Sequence, residues 1–196
     1  MYMAEPELTP LSYFAESAPR DYQRGLAVVE LVAYETDAME LVSEVAAFAQ
    51  SLDPGRSEDQ LPIRRLIPVG ADATQMDQYG QRFAEILRPL TGVTVGEMLQ
   101  GRFVVYDEAG LSSGNHIDPY LDDDHTLTLG VMLLGKGVLQ TTGLRVPVGK
   151  TGSRQADIDL QPGVAIAQPG AKEVIHAVTS RSDYRVTGIW DYARAD

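Results

Sequence analysis

The sequence predicts a mainly β protein of the α+β class, in which helices lead into a C-terminal β-sandwich or barrel. The first half contains two stripes of apolar residues at helical spacing. After Gly92 the apolar residues no longer follow helical spacing and instead occupy every second position, as in strands that bury one face. The 196 residues are 44% hydrophobic, which is enough for one well-buried core and short for two.

Two amphipathic helices are predicted before Gly92. Asp37 with Glu40 has the spacing of a capping box, and Asp53-Pro54-Gly55 ends the first helix. Asp72 and Gln75 form a similar cap for the second, which Thr91-Gly92 ends. These stripes are more typical of core faces than of cofactor sites. Their members are Leu41, Val42, Val45, Phe48, Ala49 and Leu52 in the first helix, and Met76, Tyr79, Phe83, Ile86, Leu87 and Leu90 in the second.

The remaining apolar segments are short, as expected of strands. Leu26 to Tyr34 fits a strand or the start of a helix, and the prolines within Leu61 to Val69 favour an edge strand. Glycine, proline, aspartate and serine separate the later segments, a spacing typical of a sandwich or barrel. Those predicted strands are Arg102 to Asp107, Thr126 to Leu134, Gly143 to Val148, Gly163 to Ala167, Glu173 to Val178 and Tyr184 to Tyr192.

Composition excludes several classes of function. The net charge is −12 and no cluster of Lys or Arg occurs, which argues against nucleic acid and against an anionic membrane surface. There are no cysteines, so disulfides, thiolate metal sites and cysteine nucleophiles are ruled out. The first residues lack the apolar run of a signal peptide, and no segment approaches a membrane span. We expect a cytoplasmic protein.

Three residues form a candidate metal site. His116-Ile117-Asp118 places an imidazole and a carboxylate two residues apart, on one face if the segment is extended. His176 follows after 58 residues (176 − 118), within an apolar strand. Two imidazoles and one carboxylate on one face of an ion, with three positions open, favour non-haem Fe(II). The alternatives are a chance pattern in a surface loop for the pair and a hydrogen-bonded core residue for His176.

Arg185 and Thr187 form a candidate anion site on the last predicted strand. Alternation puts both side chains on one face, with Val186 and Gly188 on the other. An arginine on an inward face requires an anion, and a carboxylate fits its planar guanidinium. The alternative is a surface arginine that pairs with Asp183 or Glu173.

Together these residues resemble the 2-oxoglutarate- and Fe(II)-dependent dioxygenase superfamily, with likeness to its small prolyl-hydroxylase-type members. The resemblance rests on His116-X-Asp118, His176 and Arg185-X-Thr187, and spans roughly residues 100–192. Tyr106, ten residues before His116, matches a position where such enzymes often hold the 2-oxoglutarate carboxylate.

The resemblance implies a double-stranded β-helix (jelly-roll) over 93–196, with residues 1–92 as helical support in a single domain over 1–196. It implies Fe(II) bound by His116, Asp118 and His176, and 2-oxoglutarate bound by Arg185, Thr187 and Tyr106. Dioxygen is the second co-substrate, and succinate and CO2 are released. Because Asp118 completes the ligand set that related halogenases lack, hydroxylation of a C–H bond is the expected outcome.

The expected substrate is a small molecule, such as an amino acid or a biosynthetic intermediate. Two departures argue against a prolyl substrate: Thr142-Gly143 replaces a common Gly-Gly pair, and Gly130-Val131-Met132-Leu133 lacks a frequent tyrosine. The competing hypothesis is a metal-binding β-barrel of the cupin kind that does not use 2-oxoglutarate. It leaves Arg185 and Thr187 unexplained, and cupins typically carry His-X-His rather than His-X-Asp.

Overall fold

The computed structural model describes residues 27–30, 36–55, 57, 61–91, 95–114, 126–145, 153–169 and 176–194. Two helices precede most of the strands, α1 (Thr36–Leu52) and α2 (Ala71–Thr91). Within these described ranges, no helix is long and apolar enough to cross a membrane. The nine strands in this part of the chain are β1 (Ala27–Glu30), β2 (Ile63–Leu66), β3 (Val95–Tyr106), β4 (Thr126–Leu134), β5 (Gly137–Arg145), β6 (Ser153–Leu160), β7 (Val164–Pro169), β8 (His176–Ser180) and β9 (Arg185–Arg194).

The strands form two antiparallel sheets of unequal size. The large sheet has six strands in the order β1-β7-β4-β9-β3-β2, and the small sheet has three in the order β6-β5-β8. Strand β9 lies inside the large sheet, and its backbone pairs with β4 on one side and with β3 on the other. The described part of the chain is therefore mainly β with two helices, as the change of period after Gly92 predicts.

One face of the large sheet, the outer face, packs against both helices. The helix stripes and the outer side chains of β3, β4 and β9 form one buried cluster. At its centre lies Trp190, which is fully buried, donates a hydrogen bond to the carbonyl of Met76 and contacts the ring of Phe83. A Cβ on Gly80 would lie 2.5 Å from Trp190 Cδ1, so the helix can approach the sheet this closely only with glycine there.

The opposite, inner face of the large sheet is covered by the small sheet. Met132 and Val164 from the large sheet pack against Leu139, Ile158 and Leu160 from the small one, in a second buried cluster. Because side chains alternate along a strand, each residue of β9 faces either the helices or this space between the sheets. Trp190 and Arg185 thus belong to opposite faces of one strand.

A buried ionic network ties the first helix to the sheet edge. Arg64 on β2 donates to both carboxylate oxygens of Asp53, just after α1, and to both of Asp107, just after β3. Tyr184 donates its hydroxyl to Asp53 at 2.8 Å. Hydrogen bonding to Arg64 lowers the pKa of Asp53, and burial raises the pKa of Tyr184. The three charged side chains are less than a tenth exposed, so the network stabilises this edge only while it is complete.

Several predicted bounds change in the structure. Strand β3 begins at Val95 and not at Arg102, and β5 begins at Gly137 and not at Gly143. Strand β6 is not among the predicted strands, although the alternation from Asp157 to Leu160 is typical of a strand. The second helix begins at Ala71, so Asp72 lies in its first turn and is not its cap. The ambiguous segment from Leu26 contains a short strand, β1, and β2 is an edge strand as predicted.

Candidate active site

A cavity of about 160 Å³ lies between the inner faces of the two sheets. Strand pairing arranges its floor, on the large sheet, in four rows of side chains that run across neighbouring strands. The first row is Ile63, Tyr106 and Arg185; the second is Arg65, Val104, Thr187 and Met132; the third is Arg102, Ile189 and Gly130; the fourth is Thr128 and Asp191, of which only Thr128 lines the cavity. Leu139, Leu160, His176 and Val178 line the cavity from the small-sheet side.

Arg185 is the charged group of the first row, and it is only 2% exposed. Its Nη2 donates to Thr187 Oγ1 at 2.8 Å, and its Nε lies 3.4 Å from the sulfur of Met132. The guanidinium carbon lies 4.5 Å from the centre of the Tyr106 ring. Burial lowers the pKa of Arg185, since removing a cation from water disfavours its charged form. The alternative of a surface arginine is therefore wrong.

One nitrogen of Arg185 has no hydrogen-bond partner among the described residues. Its Nη1 is buried, and no atom of the described residues accepts from it. Nor does any carboxylate in the described ranges form an ion pair with this guanidinium. A buried cation with an unused donor is costly unless an anion completes it. The arrangement suits a carboxylate in the cavity.

Two glycines make room for Arg185. A Cβ on Gly137 would lie 2.8 Å from the carbonyl oxygen of Thr179 and 3.1 Å from Arg185 Nε. A Cβ on Gly135 would lie 2.4 Å from the carbonyl oxygen of Tyr184, and its φ of +78° also favours glycine. The sequence alone did not indicate a role for Gly137, because its closeness to Arg185 and to the carbonyl of Thr179 depends on the pairing of β5 with β8. The stretch from Gly130 to Leu133, which lacks the tyrosine frequent in the resembled family, includes Met132, whose sulfur lies beside both Arg185 and Thr187.

His176 begins β8 and lines the same cavity. It is 7% exposed and pairs in register with Thr141 on β5. His116 and Asp118 lie outside the described residues, and within the described ranges no three His, Cys, Asp or Glu side chains cluster as a metal site. Four of the six predicted site residues, His176, Arg185, Thr187 and Tyr106, therefore line one cavity, and the complete metal site stays a prediction.

The second, third and fourth rows hold charged and polar side chains that were not predicted from the sequence. Arg102, only 5% exposed, forms a buried ion pair with Asp191, whose other oxygen accepts from Thr128 at 2.7 Å. Arg65 on the edge strand β2 also lines the cavity and is exposed. Alternation along the predicted strand from Arg102 to Tyr106 would have been enough to place Arg102 and Tyr106 on the same face, four residues apart.

Several solved structures have a fold similar to that of this chain. The chain matches the non-haem α-ketoglutarate-dependent epimerase SnoN of nogalamycin biosynthesis over 94% of its length and 83% of that chain, with 17% identity and a TM-score of 0.62. It matches a prolyl-4-hydroxylase from Pseudomonas putida over 95% and 100%, with 16% identity and a TM-score of 0.57. It matches the carbocyclase SnoK over 93% and 87%, with 14% identity and a TM-score of 0.57.

No protein-family profile matches the chain, and no curated protein matches it by sequence. The structural matches cover nearly the whole chain at low identity, so they define the fold. That fold is the one shared by 2-oxoglutarate- and Fe(II)-dependent oxygenases, among them an epimerase, a hydroxylase and a carbocyclase. The resemblance inferred from the motifs is thus confirmed at the level of the fold.

Proposed function

We propose that the protein is an Fe(II)- and 2-oxoglutarate-dependent oxygenase that hydroxylates an unactivated C–H bond of a small molecule. The observation that carries the proposal is the unpartnered, buried Nη1 of Arg185 in the cavity between the sheets. The shared fold supports the same class. In this proposal the two sheets are the halves of a double-stranded β-helix, within a single domain over 1–196.

The residues around Arg185 fit a dicarboxylate co-substrate. Arg185 would donate from Nη1 to one carboxylate, in a site already shaped by Gly137 and closed from water by its burial. The hydroxyl of Thr187 touches the guanidinium and can turn to donate to the same anion. The Tyr106 ring packs against the guanidinium and keeps its plane in place. A low local dielectric strengthens each of these contacts.

The metal ligands in this proposal are His176, His116 and Asp118. His176 fits because it is buried at the cavity wall, where a neutral imidazole offers a nitrogen ligand. Bound Fe(II) and 2-oxoglutarate supply oxidising power from dioxygen, with release of succinate and CO2. The chain itself orients the co-substrate and keeps the reacting groups away from water. With Asp118 present, the protein ligand set leaves no gap for a halide, which favours hydroxylation.

The shared fold leaves the reaction open, since related structures include an epimerase and a carbocyclase. Hydroxylation therefore rests on the ligand set and not on the fold. The substrate is proposed to be a small molecule, because the cavity between the two sheets has a volume of only about 160 Å³. An amino acid or a biosynthetic intermediate is of suitable size.

An anaerobic titration tests the class. Protein loaded with Fe(II) should develop a weak visible charge-transfer band when 2-oxoglutarate is added, because only direct chelation produces it. A screen of candidate small molecules for coupled succinate release then tests turnover. Iron binding without any band on adding 2-oxoglutarate would refute the proposal and favour the cupin-like metal-binding barrel.

A further inference from the structure

The described residues of the cavity lining carry permanent charges of one sign only, since Asp191, which pairs with Arg102, is not part of that lining. Among the described residues that line the cavity, the permanently charged side chains are the arginines 65, 102 and 185. The chain as a whole carries a net charge of −12, so a cationic wall runs against its average. A cleft lined by one sign of charge concentrates ligands of the other. The proposed function assigns Arg185 to the co-substrate, which leaves Arg65 and Arg102 without an assigned ligand.

Arg102 contributes position rather than net charge. It is buried against Asp191, and the second oxygen of Asp191 accepts from Thr128. This ion pair is neutral overall, and the contact with Asp191 holds the Arg102 guanidinium in place at the cavity wall. Arg102 lies in the third row, two residues along β3 from Val104 and four from Tyr106. A rigid guanidinium on the wall is suited to bind a planar carboxylate.

Arg65 contributes the uncompensated charge. It is exposed, and no hydrogen bond or ion pair joins it to any residue in the described ranges. It pairs in register with Val104, which makes Arg102 its diagonal neighbour on the same face. Diagonal neighbours in an antiparallel pair have Cα atoms about 7–8 Å apart, within reach of two long side chains for one ligand group.

The pair is separate from the co-substrate site. Arg65 lies two strands and one row from Arg185, which corresponds to about 12 Å between Cα atoms at ordinary strand spacing. Arg102 lies one strand and two rows from Arg185, or about 14 Å. Each site can therefore hold its own anion.

We propose that Arg65 and Arg102 form a second anion site that binds a carboxylate of the primary substrate. This inference rests on the proposed function and narrows its substrate class to small molecules with one free carboxylate, such as an N-acylated or free amino acid. Arg65 neutralises the charge and Arg102 orients the group, so that the remainder of the substrate lies along the rows toward His176.

The test compares ligands that differ only in charge. Zn(II)-loaded protein with saturating 2-oxoglutarate is mixed with a set of N-acetyl amino acids or with the matching N-acetyl amino-acid amides. Binding is followed by ligand-observed NMR. The acids should bind in preference to the amides, and Arg65→Gln should weaken acid binding by about fivefold, the upper range for a partly exposed ion pair. Arg88→Gln, an exposed arginine on α2 outside the cavity lining, is the matched control.

A second measurement separates this inference from the proposed function. Affinity for 2-oxoglutarate itself should stay unchanged in Arg65→Gln. If wild type fails to bind 2-oxoglutarate, the proposed function fails. If it binds 2-oxoglutarate but shows no preference for acids, including no binding of either set, the second anion site is refuted. An acid preference that is undiminished in Arg65→Gln would also refute it and make Arg65 a solvated edge-strand charge. The double variant Arg102→Gln/Asp191→Asn avoids an unpaired buried carboxylate and should lose the preference too.

Discussion

Replacing Arg185 by alanine should reduce the affinity for 2-oxoglutarate steeply. Arg185 is 2% exposed, so a bound carboxylate would lose a fully desolvated partner. Losing one member of such a buried charge pair costs about 2–5 kcal/mol, or about 30-fold to several-thousandfold in Kd. Thr187→Val removes a single hydroxyl contact and should cost about 0.5–1.5 kcal/mol, or about 2- to 13-fold.

The stability of the protein without 2-oxoglutarate gives an independent readout. A structural arginine should be stabilising in the ligand-free state, whereas Arg185 is buried with its Nη1 unpartnered among the described residues. Arg185→Met, which keeps length and removes charge, should therefore leave the Tm of the ligand-free protein unchanged or raised. It should also abolish the increase in Tm that 2-oxoglutarate produces in wild type.

The affinities can be measured by anaerobic titration of the Fe(II) charge-transfer band. Arg181→Ala serves as the control, because Arg181 is 60% exposed and forms only a surface ion pair with Asp159. Affinity within twofold of wild type in Arg185→Ala would refute the assignment of the carboxylate site. A large fall in ligand-free Tm in Arg185→Met would instead mean that the side chain holds the sheets together.

Other predictions address the metal, the fold and the product. His176→Ala should abolish Fe(II) retention, measured by metal analysis, and turnover while circular dichroism stays near wild type; full activity would contradict its role as a ligand. Arg64→Met should lower the free energy of unfolding at pH 7 by about 3–5 kcal/mol, because two buried carboxylates lose their cation. Arg64 lowers the pKa of Asp53 in the folded state. The stabilisation is therefore fully present above the pKa of Asp53 in the unfolded chain, about 3.9, and is lost as the pH falls through the lower pKa of Asp53 in the folded protein. Urea unfolding at pH 7 and pH 3 should therefore show a smaller difference between wild type and variant at the lower pH. With Asp118 present, the product formed under labelled dioxygen in the presence of chloride should gain one labelled oxygen by mass spectrometry, whereas a chlorinated product would contradict this prediction.

Strong periodicity made parts of the fold predictable. Strand β4 matches its predicted bounds, Thr126 to Leu134, because the alternation that begins at Thr126 leads directly into the apolar run from Val131 to Leu134. The first helix was identified from its stripe and its Asp53-Pro54-Gly55 end, and the observed helix ends at Leu52. Strand β5 was predicted six residues late, because Gly137 and the polar run from Gln140 to Thr142 weaken the alternating pattern. That run is tolerated because β6 and β8 flank β5 and pair with its backbone.

The candidate site was predictable only where side chains share a strand. Arg185 and Thr187 are two residues apart, so alternation alone puts them on one face. Arg65 and Arg102 are 37 residues apart (102 − 65), and only the register of β2 against β3 makes them neighbours. Pairing partners depend on contacts distant in the chain, which a single sequence does not encode locally.

The division of β9 into two faces gives the protein a built-in optical reporter. Trp190 is the only tryptophan of the chain, and it faces the helices while Arg185 and Thr187 face the cavity. Its emission reports the packing of Gly80 and the helices against the sheet, on the face of β9 opposite the cavity. Variants on the inner face should therefore keep the wild-type emission spectrum, and a red shift would identify those that damage the scaffold. A single strand thus lets loss of binding and loss of structure be recorded separately in the same cuvette.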